Sequence, residues 1–223
     1  ELPPSIATVL TTLAIIAVPV MLIAKEPDLG TSILVAAGGM FVLFLSGLPW
    51  GMIGGAIAVF IPFVWGLWNF FMHAYQKTRV MTMFDPEADA LGAGWNIIQS
   101  KTAIGSGGLT GKGYLEGTQS HLHFLPEGHT DFAIAAFSEE FGLAGVGLLL
   151  FFYLCLLARS FYIAIVNPDT YCRLLAGALT MSFFVYIFVN MGMVSGILPV
   201  VGVPLPFISY GGTAVITLMA SFG

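Results

Sequence analysis

Two carboxylates and an imidazole fall within five residues of Phe124-Leu-Pro-Glu-Gly-His-Thr-Asp-Phe132, where polar sequence gives way to a long apolar run. Glu127, His129 and Asp131 are residue types that take or give a proton near neutral pH when held against a reacting group. If a helix begins near Thr130, Asp131 lies in its first turn, where the macrodipole favours a carboxylate, and Ser138 follows two turns later on the same face. Thr130 and Asp131 would serve equally as ordinary capping residues. His121, His123 and His129 are also conceivable zinc ligands, but no His-Glu-x-x-His pattern accompanies them, and no metal site is assigned. The wider region from His73 to Asp131 holds ten of the nineteen charged residues and all four histidines. Any chemistry is expected there.

The elements that must position these residues are membrane helices. The chain is 57% hydrophobic and 9% charged, with mean hydropathy +0.93, whereas soluble domains carry about 25% charged residues. Its apolar runs approach the ~20 residues that cross ~30 Å of hydrocarbon as helix. The expected fold is therefore an all-α integral membrane protein, a polytopic helical bundle with one large loop between its third and fourth spans. Residues 1–72 are read as three spans. The first runs from about Ser5 to Ala24, with Ser5 as N-cap and a kink at Pro19. The second covers Thr31 to Leu45 and the third Gly51 to about Phe71. Residues 73–131 form the large loop carrying the site. Residues 132–223 hold an interfacial or re-entrant helix to Phe141, a crossing from Leu143, a span from Leu174 to Val194 and a last span starting near Thr213. The Pro/Gly-rich stretch 195–212 rules out a regular helix. Such backbone survives near a membrane only where protein or a watery cavity satisfies it, so it is expected to line a cavity.

A net charge of -5 leaves no basic footprint for nucleic acid. Cys155 and Cys172 are expected as free thiols. The opening Glu1-Leu-Pro-Pro-Ser5 lacks the basic start of a signal peptide, and the chain reads as part of a larger membrane domain. Counting Lys77, Arg79, Lys101 and Lys112 against Arg159 and Arg173, positive charge alone would put the large loop in the cytoplasm.

Five blocks resemble the SEDS family of shape, elongation, division and sporulation proteins, and its rod-shape elongation branch more than its division branch. They are Pro27-Asp-Leu-Gly-Thr31, Ala103-Ile-Gly-Ser-Gly-Gly-Leu-Thr-Gly-Lys-Gly113, Pro126-Glu-Gly-His-Thr-Asp-Phe132, Glu139-Glu-Phe-Gly142 and Gly202-Val-Pro-Leu-Pro-Phe-Ile-Ser-Tyr-Gly-Gly212. Gly128 departs from the family pattern, where a larger residue, often Arg, stands between the Glu and the His. The resemblance implies a peptidoglycan glycosyltransferase that polymerises lipid II for cell elongation and shape. It would sit in the bacterial cytoplasmic membrane among membrane lipid, with its active site and the large loop on the outer face. A class B penicillin-binding protein transpeptidase is the implied partner. Asp131 matches the family's essential aspartate. By the same matching, Lys101, Lys112, Gln119, Glu127, His129, Thr130, Ser209, Tyr210, Gly211 and Gly212 are the implied substrate-binding residues.

In that reaction a sugar hydroxyl attacks an anomeric carbon whose leaving group is a polyprenyl diphosphate. One carboxylate, Asp131, suffices as general base, and the departing diphosphate wants positive charge. Lys101 and Lys112, set among glycines that expose backbone N–H groups, fit that need, as would a divalent cation, Mg or Mn. Asp28 is read as an N-terminal charge for the second span, and Asn190 as an interhelical hydrogen bonder. Two rival readings are a flippase for the lipid-linked precursor and a non-catalytic scaffold for the transpeptidase. A flippase should carry ionisable residues within its spans, and a scaffold has no need of the acidic motif.

Overall fold

The computed structural model describes residues 3–26, 28–72, 74–89, 92–121 and 128–222, and all regular structure among them is helical. Helix α1 covers Ile6–Lys25, α2 Leu29–Leu45 and α3 Trp50–Gly66, which runs on into a π turn, Leu67–Phe71. The polar region is folded rather than open. It holds α4 (Ala74–Phe84), a 3-10 turn (Pro86–Asp89), α5 (Ala93–Gly107) and the short α6 (Thr118–His121). Then come α7 (Ala133–Val166), α8 (Thr170–Val194) and α9 (Gly212–Phe222). Among the described residues, four helical stretches are long and apolar enough to cross a membrane: α1, α3 with its π turn, α7 and α8; α2 and α9 are shorter apolar helices.

Local sequence accounts for the helix starts. The Ser5 hydroxyl accepts from Thr8 N at 3.2 Å, and Lys25 sits in the last turn of α1, where a cation suits the dipole. Asp28 is the N-cap of α2, accepting from Thr31 N at 3.0 Å, which is the structural role read for it. Asp169 does the same for α8 through Cys172 N. Cys155 and Cys172 are free thiols on exposed positions.

The apolar run 132–166 is broken at Gly142. Gly142 has φ 64° and ψ -166°, dividing α7 into a short first helix and a long second one. Such a break strands carbonyls on one side and N–H groups on the other. Here the turn segment after α5 satisfies them. Lys112 N and Gly113 N donate to the carbonyls of Glu139 and Glu140 at 3.0 and 3.1 Å, while Leu143 N and Ala144 N donate to those of Gly108 and Leu109 at 2.9 and 3.0 Å. The two backbones meet so closely that a Cβ at Gly107 would lie 2.1 Å from Ser138 O and one at Gly111 2.0 Å from Glu140 O. These glycines are therefore backbone-contact positions.

The core gathers where α7, α8 and the Pro/Gly-rich stretch meet. Phe132, Ile134, Tyr153, Leu157, Phe183, Ile187, Met193 and Leu205 are buried there. The Tyr153 hydroxyl donates to Pro206 O at 2.6 Å, pinning the irregular stretch to α7. Residues of this stretch line a cavity. It has a volume of about 750 Å³, and Gly202 to Phe207 form one wall against α2, α8 and α9.

Candidate active site

Asp131 lies in a turn just before α7. The first helical residue is Ala133 and the cap position is Phe132, which makes no side-chain cap bond, so Asp131 stands outside the cap position. Phe132 is only 1% exposed and anchors the turn in the core. Asn190 and Tyr210 tie this turn to the chain around it. The Asn190 amide donates to Asp131 O at 2.8 Å and to Val203 O at 2.6 Å, and Tyr210 N donates to His129 O at 2.8 Å. The entry to α7 and the Pro/Gly-rich stretch are thereby held side by side.

The carboxylate of Asp131 lies over Gly202. A Cβ added there would be 3.2 Å from Asp131 Oδ2, and Gly202 has φ +72°, a conformation that side-chain-bearing residues rarely adopt. Arg79 of α4 reaches the same stretch, with Nη1 3.5 Å from Val200 O. The half-buried Asp131 carboxylate and the Arg79 guanidinium, distant in sequence, thus both meet the short backbone run 200–202, with His129 and Tyr210 exposed.

The other expected site residues are placed as follows. Thr130 and Gly211 are half-buried beside Asp131 and Tyr210, and Gly212 opens α9 with open space around it. Ser209 is buried, and its hydroxyl accepts from Leu205 N at 2.8 Å, closing its own turn. Lys112 is engaged by Glu139, whose side chain is fully buried: Nζ to Oε1 is 2.6 Å. Thr118 N and Gln119 N also donate to Glu139, at 2.8 and 3.0 Å, and Lys112 donates to Thr118 Oγ1 at 2.8 Å. Lys112 and Gln119 therefore belong to a buried polar cluster under the break in α7. Lys101 is exposed on α5 and lies across Gly196, just past the end of α8, where a Cβ would come 2.6 Å from its Nζ. A cation there complements the helix dipole. Glu127 and His123 lie outside the described residues, as does the side chain of His121. Among the described residues no group of three or more His, Cys, Asp or Glu converges as metal ligands would.

A sequence model of the FtsW/RodA/SpoVE family, described as cell cycle protein, matches residues 1–223. The chain belongs to this family. It is 58% identical over 221 residues to peptidoglycan glycosyltransferase MrdB of Escherichia coli (strain K12), covering 99% of this chain and 60% of that protein. Peptidoglycan glycosyltransferase RodA of Treponema pallidum (strain Nichols) is 43% identical over 149 residues, which cover 67% of this chain and 34% of that one. A solved chain from a peptidoglycan synthase complex that coordinates polymerization and crosslinking superposes with TM-score 0.81 at 29% identity, over 97% of this chain and 60% of that one. The chain thus spans about three fifths of the Escherichia coli relative's length.

Within this FtsW/RodA/SpoVE member, three residues matter that carried no site role in the sequence. Glu139 organises the cluster beneath the break, Asn190 bridges the two segments of the site, and Gly202 makes room for the carboxylate. Glu139 had a readable signal, since a carboxylate inside an apolar helix must be paired or hydrogen-bonded. Asn190 had the same signal in weaker form, as a lone amide in α8.

Proposed function

We propose that this chain belongs to a peptidoglycan glycosyltransferase that polymerises lipid II at the outer face of the bacterial cytoplasmic membrane, alongside a class B penicillin-binding protein. The names of the relatives support the activity, and the synthase complex among the structural neighbours supports the partner. The observation that carries the reading is the placement of the Asp131 carboxylate over Gly202, at the junction of α7 with the Pro/Gly-rich stretch.

In the proposed step a sugar hydroxyl of one lipid-linked disaccharide forms a bond to the anomeric carbon of another. Asp131 accepts the hydroxyl proton as that bond forms. The anomeric carbon–oxygen bond breaks, and its electron pair leaves with the polyprenyl diphosphate. Because a diphosphate departs as a stable anion, no second carboxylate is needed as an acid, in contrast to glycoside hydrolysis. The leaving charge instead calls for cations. Arg79, at the same stretch as Gly202, and the exposed Lys101 are the residues we assign to it. Lys112 is already neutralised by Glu139 and is assigned to structure.

The described residues do not form an all-protein cage for Mg or Mn. Mg commonly binds one or two carboxylates plus substrate phosphates, so a divalent ion would come with the diphosphate, and no step here depends on it. The test is lipid II polymerisation by the full-length protein with its partner. Asp131→Asn keeps size and removes basicity, so the rate should fall at least ~10²-fold with folding unchanged. A near-normal rate from a well-folded Asp131→Asn protein overturns the reading.

A further inference from the structure

Asn190 is completely buried near the end of α8, yet its carbonyl oxygen Oδ1 has no hydrogen-bond partner. Leaving a buried acceptor unsatisfied is unfavourable, so Oδ1 is not what the amide contributes here. What distinguishes it is its nitrogen, whose two hydrogens serve two carbonyls: Asp131 O at 2.8 Å and Val203 O at 2.6 Å. Only an NH₂ group at this point can donate to both, which also fixes which way round the amide sits.

The two carbonyls belong to the two sides of the site. Asp131 carries the carboxylate, and Val203 follows Gly202, the residue over which that carboxylate lies. Both segments are irregular: Asp131 precedes α7, and residues 199–205 have no helical ladder to hold them. Asp131 O has no place in the α7 ladder, which opens with Ala135 N on Phe132 O at 2.9 Å. Tyr210 N to His129 O, at 2.8 Å, joins the same two segments nearby, but at Asp131 and Val203 themselves Asn190 supplies the directional contact, where apolar packing alone would not be directional.

We infer that Asn190 is a positioning residue: it fixes the Asp131 backbone against Val203 and thereby sets where the carboxylate points. The inference rests on the reading of Asp131 as the base, and it concerns geometry rather than contact with substrate. Misplacing a reacting group by about 1 Å costs up to ~10²-fold in rate. The loss should therefore appear in kcat more than in KM for lipid II.

The experiment uses the full-length protein with its partner and compares Asn190→Leu, Asn190→Ser, Asp131→Asn and the Asp131→Asn/Asn190→Leu double variant, with thermal unfolding measured on each. Expected for Asn190→Leu is a kcat lower by ~10- to 100-fold, a KM within about twofold, and a folded protein. Asn190→Ser, which keeps one donor, should fall between it and wild type. In the Asp131→Asn background, Asn190→Leu should change the residual rate by less than about twofold, because residues acting as one unit are not additive. Three results overturn the inference: wild-type kcat in a folded Asn190→Leu, an equal fold-loss with and without the Asp131 carboxylate, or failure of both Asn190 variants to fold, which would make the residue part of general packing. An unimpaired Asp131→Asn protein would instead sink the base assignment itself, so the two failures are told apart.

Discussion

Lys112 Nζ and Glu139 Oε1 are 2.6 Å apart, and the glutamate is fully buried while the lysine side chain is 28% exposed. They are 27 residues apart in sequence and join the segment after α5 to the first half of α7. Removing one partner of a buried pair strands the other charge, at a cost of roughly 3 kcal/mol. Lys112→Met should therefore lower the unfolding midpoint of the purified protein clearly. Lys112→Met with Glu139→Met should recover much of that loss, since apolar replacement of both partners is often neutral or better. A Lys112→Met protein with wild-type stability and weakened lipid II binding would return this lysine to the substrate.

The glycines around that pair separate two roles. Gly142 combines φ 64° with ψ -166°, and a Cβ there would meet Gly111 N at 2.3 Å. The backbone conformation alone should cost an alanine ~1–3 kcal/mol, and the clash adds to it. Gly142→Ala is expected to abolish or severely reduce the yield of folded protein. Gly105 is the contrasting case, a helical position in α5 with nothing within 4 Å of an added Cβ. Gly105→Ala should gain ~0.5–1 kcal/mol in thermal unfolding, with polymerisation unchanged. A drop in rate at Gly105→Ala without loss of stability would point to close approach of a phosphate.

Features set by neighbouring residues were legible in the sequence. The caps Ser5 and Asp28 act within three positions, and the break at Gly142 and the irregular Pro/Gly-rich stretch begin from conformations that glycine and proline impose locally, even though distant segments complete them. Asp131 was assigned on another ground, because its block carries the family's pattern. The polar region was harder. Its helix α5 has only a weak apolar face and is held mainly by α7, which no local pattern announces. Its glycines look alike on the page, whether they serve a phosphate or the backbone of a distant helix. Only the fold shows that Gly107 and Gly111 face α7 while Gly105 faces open space. The partner of Lys112 was hidden for the same reason, since Glu139 lies 27 residues on, past α6 and inside α7.

A pH effect is expected at the start of α8. Hydrogen bonds from the side chain and backbone of Cys172 hold the Asp169 carboxyl below the usual carboxylate range. A depressed folded-state pKa gives stability that is present above the ordinary carboxylate pKa and lost as pH falls toward the folded value. Asp169→Ala should thus lower the unfolding midpoint at neutral pH, and the gap from wild type should close in acid below about pH 4. A gap independent of pH would mean that the aspartate acts through its shape alone.

Orientation is the remaining prediction, and two arguments oppose each other. Lys77, Arg79, Lys101 and Lys112 outnumber Arg159 and Arg173, which taken alone favours a cytoplasmic polar region. The rule, however, weakens for loops approaching ~60 residues, and this region is a folded unit of that size. The proposed chemistry also requires the site to face the side on which glycan is built. We therefore expect the polar region outside and the turn between α7 and α8 inside. Single cysteines at Glu116 and Tyr171 would report this in a background with Cys155→Ala and Cys172→Ala, since both positions are exposed and Tyr171 is 72% so. A membrane-impermeant thiol reagent should label Glu116→Cys in cells with a permeable outer envelope, and Tyr171→Cys only after the cytoplasmic membrane is opened. The reverse pattern would invert the topology and place Asp131 on the cytoplasmic side, which is incompatible with polymerisation at the outer face.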